Sequence, residues 1–421
     1  MIQKLKLHWQ SAFFLLLLCW LLVASAYHGA LNPNSGLTGI DFAIYHRAAG
    51  WLNAGEPLYY PGVEGKNGYM YAPAVAWALR PLAALPREQA LKIWFLINAA
   101  ALLAAVALYA CAARLRGRHA AALGILLLVA FRFWPTTCNL AMGQVNCLLL
   151  TLVAGMMLAD SRGRIGTVAV LIALAALVKL WMIAAGIHLV VRRKWGAAFG
   201  CGVAFAGLLA LSFALVGWQE WPGFIGTVTS QHASVQPGLV SQSIMGFARL
   251  RFADSGLVVP LLENALVKQG FIAAGFLAVF GALGWLGWTG PARSSYETRL
   301  RFGFAILSML LLLPICHMEY YLLTIPLFWT ILAPGPGRRA HGLAILGAIL
   351  AYIAFTRPVP VSGPGLAAFR EGAKSLMVSV PFFTAVVLWI TTLCEIRRLR
   401  GPATRPASAR ESAPVAESVA A

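Results

Sequence analysis

The residue with the clearest chemical potential in this sequence is Asp41. It lies in the stretch TGIDFAIYHRAAGWLNAGEPLYYP (residues 38–61), about ten residues beyond the first hydrophobic run. It is one of only three aspartates in 421 residues. It heads a short amphipathic segment in which Tyr45, Ala48, Ala49 and Leu52 fall at helical spacing, closed by Gly55 and Pro57. A carboxylate at the mouth of an apolar bundle suits a general base acting on a lipid-borne substrate. Aspartate is also among the best helix N-caps, so the segment alone leaves both readings open. Tyr45, Arg47 and Tyr71 are the acceptor-side candidates.

Four further polar clusters interrupt apolar sequence. In AMGQVN, Gly143, Gln144 and Asn146 open a hydrophobic run; capping and interhelical hydrogen bonding account for these residue types equally well. In AALVKLWM, Lys179 stands inside a run of apolar residues. A lysine at the bilayer centre costs about 2.5–3.5 kcal/mol on insertion scales, which makes it a functional candidate by default. A snorkelling lysine at the tip of a short hairpin is the plainer alternative. In SQSIMGFARLRF, Gln242, Ser243, Arg249 and Arg251 combine amide, hydroxyl and guanidinium groups. Arginine forks match phosphate oxygens, and one of the two arginines is expected to be an interfacial anchor. In ICHMEYYLL, His317, Glu319, Tyr320 and Tyr321 begin a helix. Tyrosines belong to the interfacial belt by default, leaving His317 and Glu319 as the informative pair.

The elements that must position these groups are membrane helices. Sixty per cent of residues are hydrophobic and 11% charged, and mean hydropathy is +0.75, which describes an all-α polytopic membrane protein. A spanning helix needs about 20 apolar residues. Suitable runs occur near 11–30, 89–112, 120–135, 143–159, 196–217, 265–289, 301–316, 319–333, 341–356 and 375–394. Another run, 165–191, is long for one span, and Lys179 divides it into two short helices. The expectation is therefore twelve spans in one domain over residues 1–400, with short interfacial helices in the first outward loop, 31–88. Within that loop, 68–86 holds a short apolar helix bounded by prolines, which lies in the interface or re-enters the bundle. The other outward loops are 136–142, 218–256, 317–319 and 357–374. The tail from Gly401 is rich in Ala, Pro, Ser and Arg and reads as a disordered cytoplasmic segment.

Charge tests that topology. Under this count 20 of the 33 Lys and Arg residues fall on one side, which the positive-inside bias assigns to the cytoplasm together with both termini. The net charge of +19 thus reflects orientation and suits an anionic substrate. Nucleic acid is a poor partner, because the arginines are scattered in short loops instead of forming one basic face. Lys4, Lys6, the apolar run and Ala24-Ser25-Ala26 resemble a cleavable signal peptide, but in so hydrophobic a chain the first span is expected to stay as an anchor. The seven cysteines form no CxxC pair, so neither a disulfide framework nor a zinc site is suggested.

Taken in order, DFAIYHRAAGWLNAGEPLYYP, YAPAVAWALRPL, MGQVN, LVKLW, SQSIMGFARL and HMEYY resemble glycosyltransferase family 87 across residues 10–395. The resemblance implies a GT-C fold and transfer from a polyprenyl-phosphate sugar, as in mycobacterial phosphatidylinositol-mannoside mannosyltransferases. It implies that Asp41 matches the catalytic aspartate of the first loop, His317 the donor-site histidine, and Lys179 the intramembrane lysine. Ser241 departs from the asparagine of many relatives, and Met318-Glu319 interrupt a run that is often His-rich or aromatic, which bears on the identity of the sugar.

The chemistry fits these parts. A lipid phosphate is already a good leaving group, so one carboxylate suffices for an inverting displacement, whereas a retaining route needs a second as nucleophile. Lys179, Arg249, His317, Glu319, Tyr320, Tyr321, Gln144, Asn146, Gln242 and Ser243 are the donor-side candidates. No DxD motif or Rossmann domain is visible for a nucleotide sugar. No cofactor is expected and no metal is required, although Asp41 and Glu319 together could hold one. The expected partners are a polyprenyl-phosphate-linked donor, a lipid or glycan acceptor and membrane lipids, at the outer face of the plasma membrane. A transporter or flippase of polyprenyl-linked sugars would need similar cations, but it predicts internal repeats, which the sequence lacks. A GT-C glycan ligase would share the fold.

Overall fold

The computed structural model describes residues 2–32, 36–59, 68–116, 119–234, 241–255, 258–336, 339–355 and 373–400. The expected disordered tail beyond Gly401 and most of the 357–374 loop lie outside these residues. All regular structure among the described residues is helical. In chain order the helices are α1 (Ile2–Ala30), α2 (Ile40–Ala54), α3 (Pro73–Ala83), α4 (Arg87–Ala112), α5 (Ala120–Arg132), α6 (Trp134–Met142), α7 (Asn146–Ser161), α8 (Ile165–Val178), α9 (Ile187–Val191), α10 (Trp195–Val216), α11 (Trp221–Ser234) and α12 (Ile244–Phe252). They continue as α13 (Ala265–Trp288), α14 (Ser295–Leu312), α15 (Ile325–Leu332), α16 (Gly342–Phe355) and α17 (Val380–Arg400). Short 3₁₀ segments, Leu180–Gly186, Met318–Thr324 and Ala373–Ser379, lead into α9, α15 and α17.

Five of these helices are long and apolar enough to cross a membrane, and the α5–α6 pair, bent by 52°, brings the number to six. The rest of the twelve expected runs do form helix, but most are shorter. Asn146–Ser161, Ile165–Val178, Leu180–Val191, Met318–Leu332 and Gly342–Phe355 have 10–17 residues each, less than the length that fills a bilayer core. Breaks at such depth are tolerated where neighbouring protein satisfies the freed backbone groups. α7 and α14 are in that situation, since most of their residues are buried. By contrast α1, α10 and α13 are only 6–17% buried along their apolar windows and form the periphery, exposing Phe13, Trp20, Phe199 and Leu277.

Two expected loops turn out to be partly helical. Residues 136–142 belong to α6: Phe133 is extended, Pro135 occupies the first turn, and Gly143 in the left-handed region ends the helix. The 218–256 loop contains α11 and α12, because its apolar residues Phe224 and Phe247 have buried faces to fill.

α4 and α7 run parallel, with Trp94 Nε1 bonded to the Gly143 carbonyl at 2.7 Å and Thr151 Oγ1 to the Ala101 carbonyl at 2.6 Å. Both therefore begin at the Asp41 end of the bundle. At the opposite end arginines tie helix ends together. Arg299 donates to the Ala112 and Pro334 carbonyls. Glu297 receives Arg301 at 2.9 Å and Arg400 at 2.6 Å. Above the main core, α2 and α3 form a cap with its own cluster of Phe42, Tyr45, Tyr59, Tyr69, Trp94 and Phe224.

Candidate active site

Two glycines seat the cap. Gly39 has φ 67°, and its N–H donates to the Ala141 carbonyl at 2.7 Å. A Cβ on it would come within 2.8 Å of Leu91. Gly143 has φ 71°, and a Cβ there would stand 2.6 Å from Cβ of Phe42. Only glycine accepts both the backbone angle and the approach, so α2 begins directly against the turn between α6 and α7. Phe42 then stacks on Trp94 with ring centroids 5.9 Å apart.

This seating resolves the capping question raised by the sequence. The N-cap of α2 is Gly39, without a side-chain cap, and Asp41 lies inside the first turn. Its carboxylate instead lies beside the side chain of Gln144, on the α6–α7 turn, whose amide favours the ionised form. Tyr45 Oη donates to Gln144 Oε1 at 2.8 Å and lies 2.7 Å from Tyr71 Oη. With Oε1 so occupied, Nε2 is the end of the amide that faces Asp41. The other carboxylate oxygen, Oδ2, is buried and finds no hydrogen-bond partner among the described residues.

The electrostatics follow from that enclosure. α2 lies in the connection between α1 and α4, outside the long apolar helices. Burial, and then the negative charge of Glu319, push the Asp41 carboxyl up to about 6; the Lys179 charge and the Gln144 amide pull in the other direction. An acid with that pKa is ionised at neutral pH yet takes up a proton readily, which suits a general base.

Lys179 reaches this site from the far side of the sequence. α8 ends at Val178, Lys179 is extended, and the 3₁₀ turn Leu180–Gly186 follows. Lys179 is 5% exposed, and its buried ammonium finds no hydrogen-bond partner among the described residues. It sits 4.2 Å from the Tyr320 ring centroid and 5.9 Å from that of Tyr71. A buried ammonium against ring faces, with the Asp41 and Glu319 charges near it, lacks most of its hydration. Trp181 stacks on the other partner of this arrangement, Tyr320, at 4.8 Å, and His317 meets Tyr320 edge-on at 5.3 Å.

Asp41, Tyr45, Tyr71, Gln144, Lys179, His317, Glu319 and Tyr320 thus converge. Other expected site residues have different surroundings. Gln242 is built into the framework: its amide bonds the Val378 carbonyl at 3.0 Å and the Phe382 N–H at 3.3 Å. Ser243 caps α12 through Gly246. Tyr321 donates to the Gln242 carbonyl at 2.6 Å. Arg47 is exposed and lies over Trp51 at 5.8 Å. Arg249 is half-buried on α12. The arginine locked in place is Arg251, fully buried and bonded to Ser375 and Ser379 of the 3₁₀ segment before α17. Asn146 is fully buried, and neither polar atom of its side chain finds a partner among the described residues. Trp181 was not singled out from sequence, although its place two residues beyond Lys179 was the available signal. Among the described residues no group of three or more His, Cys, Asp or Glu side chains is arranged to hold a metal.

A polytopic helical membrane protein with a half-buried acid on a helical cap and a buried cation close enough to influence it is the class that fold and site define. The sequence profile of glycosyltransferase family 87 matches residues 69–316, more than half of the chain, and the chain belongs to that family. It is accordingly a membrane glycosyltransferase. Among curated proteins, none matches it.

Proposed function

We propose that this protein is an inverting glycosyltransferase that moves one sugar, a mannose-like hexose or a pentose, from a polyprenyl-phosphate donor to a lipid or glycan acceptor. The observation that carries the reading is that one site holds two buried atoms without a hydrogen-bond partner among the described residues, Asp41 Oδ2 and Lys179 Nζ, supplied by residues 138 positions apart in sequence. Buried polar atoms in native proteins have partners, and those without one at a site point to a ligand.

In the proposed reaction Asp41 Oδ2 takes the proton of the acceptor hydroxyl. The acceptor oxygen forms a bond to the anomeric carbon from the face opposite the phosphate. The bond between that carbon and the phosphate oxygen breaks, and the electron pair leaves on the polyprenyl phosphate. Lys179, with His317 nearby, offsets the charge that builds on the leaving group, and Arg249 of α12 is assigned to the same phosphate. Gln144 and the Tyr45–Tyr71 pair hold Asp41 in position, and Tyr320 and Trp181 wall the ammonium from water. The phosphate is a sufficient leaving group without a metal, so the scheme uses none.

The family and the charge distribution support a GT-C arrangement of twelve spans in which the shorter helices pair across the bilayer. The arginine-rich end is then cytoplasmic with both termini, and the Asp41 cap faces outward from the plasma membrane. The test is incubation of purified protein with a panel of radiolabelled polyprenyl-phosphate sugars and membrane lipid extract. Label appearing in a new lipid or glycan product supports the reading. Movement of intact donor across a vesicle without transfer would instead support a flippase.

A further inference from the structure

At the end of the bundle opposite Asp41 is a cavity of about 370 Å³, between the end of α7, the α9–α10 turn, the end of α13 and the start of α14. α7, whose 16 residues span roughly 24 Å, connects the two regions, so the cavity is well separated from the candidate active site. Its polar wall carries Arg192, Arg193, Lys194 and Arg301, and its apolar wall Leu283 and Leu286.

Charge in this region does not balance. Asp160, whose side chain is fully buried, holds Arg192 and accepts a 3.0 Å hydrogen bond from His188. Glu297 holds both Arg301 and Arg400. Two carboxylates therefore serve three arginines, and Arg193 and Lys194 add two more cations on the exposed side. Arg193 adopts φ 55°, a left-handed conformation that a non-glycine residue takes up at a cost, and it turns the Arg192-Arg193-Lys194 run back over the cavity mouth. Trp288, 83% exposed, stands on the rim, where an indole suits the headgroup region of a bilayer.

We infer that this cavity binds the phosphate of an anionic glycerophospholipid, with the headgroup against Arg193 and Lys194 and an acyl chain along Leu283, Leu286 and Trp288. Basic pockets between membrane helices at the cytoplasmic side take up such headgroups because the phosphate offsets uncompensated cations while its chains stay in hydrocarbon. A soluble phosphate could meet the same cations but would leave the apolar wall and Trp288 uncovered.

The test uses purified full-length protein in detergent and reads thermal stabilisation against added phosphatidylglycerol, phosphatidylcholine or inorganic phosphate, with no dependence on sugar transfer. Phosphatidylglycerol is expected to raise the melting temperature in a saturable way, and the other two are not. The double variant R193Q/K194Q, altered only at exposed side chains, is expected to bind phosphatidylglycerol at least about tenfold more weakly, since hydrogen bonds to charged groups contribute on that scale. Trp288→Ala, at an exposed rim position, serves as a second variant and is expected to weaken the lipid alone. Equal stabilisation by inorganic phosphate would overturn the lipid assignment in favour of a soluble-anion site. Absence of any phosphatidylglycerol effect, or undiminished binding in both variants, would overturn the site itself.

Discussion

Tyr45 donates a 2.8 Å hydrogen bond to Gln144 Oε1, and this contact, with a longer one of 3.4 Å from Tyr71 Oη to the same oxygen, fixes which end of the amide addresses Asp41. The first residue lies on α2 and the second on the α6–α7 turn, 99 positions later. Tyr45→Phe removes the hydroxyl while keeping the ring that packs against Tyr71 at 4.9 Å. The amide then keeps only the 3.4 Å contact from Tyr71 Oη and is held less firmly, and turnover should fall by up to about tenfold, the scale of one net hydrogen bond. The measurement is kcat with saturating donor. Melting behaviour should change little, because the ring packing survives.

The carboxyl of Asp41 is pushed up to about 6 by burial and Glu319. A base must be ionised to accept a proton, so kcat/KM should fall as pH drops through about 6. Glu319→Gln removes a charge that raises the carboxyl and should move this acid limb to lower pH. Lys179→Met removes a charge that lowers it and should move the limb up. Stability has the opposite sense. A group with a raised folded-state pKa stabilises the fold fully below its unfolded value, near 4, and that contribution is lost as pH rises through about 6. Asp41→Asn should therefore melt at or above the wild-type temperature at pH 7.5, with the advantage shrinking below pH 5. A limb that ignores both neighbours would separate it from Asp41.

Arg249 and Arg251 should behave differently. Arg251 is fully buried and joins α12 to Ser375 and Ser379, so Arg251→Ala leaves buried polar groups unpaired and should cost about 1–3 kcal/mol of stability. Arg249→Ala should leave melting unchanged and raise the KM for donor, as the proposed phosphate contact requires. Paired thermal melts and donor titrations check both.

Gly143→Ala places a methyl group 2.6 Å from Phe42 at a residue with φ 71°. The start of α2 must shift away from the α6–α7 turn, carrying Asp41 from Gln144. Transfer should fall by about 10²-fold, the effect of an ångström-scale misplacement of a catalytic group. Stability should fall by about 1–2 kcal/mol from the left-handed backbone alone.

Much of the fold was legible because membrane helices announce themselves by apolar length, and each of the runs read from sequence contains helix. Where the reading missed, local composition was a poor guide. The TTCN stretch of α6 looks like a loop, but Pro135 and Gly143 delimit a helix whose polar face turns inward, with Asn139 bonded to the Asn146 N–H at 3.2 Å. The individual members of the site were visible as polar residues out of place in apolar sequence, Asp41 and Lys179 foremost. Their detailed arrangement was not, because it depends on two positive-φ glycines and on the ring of Tyr320, none of which carries a charge signal. The same limit applied to the two arginines of SQSIMGFARLRF. Sequence marks both as cations, and only packing distinguishes the one that holds α12 to its neighbour.

The most direct test of the account is the turnover of Asp41→Asn. Asparagine keeps the size of the side chain, and the N-cap of α2 is Gly39, so helix capping is not at stake. Purified wild type and variant would be compared for sugar transfer from a polyprenyl-phosphate donor, with protein yield, melting temperature and donor affinity measured alongside. The account predicts a loss of about 10²–10⁴-fold in kcat, the contribution of a general base, with the other three measurements near or above wild type. Near-normal transfer by Asp41→Asn would contradict it.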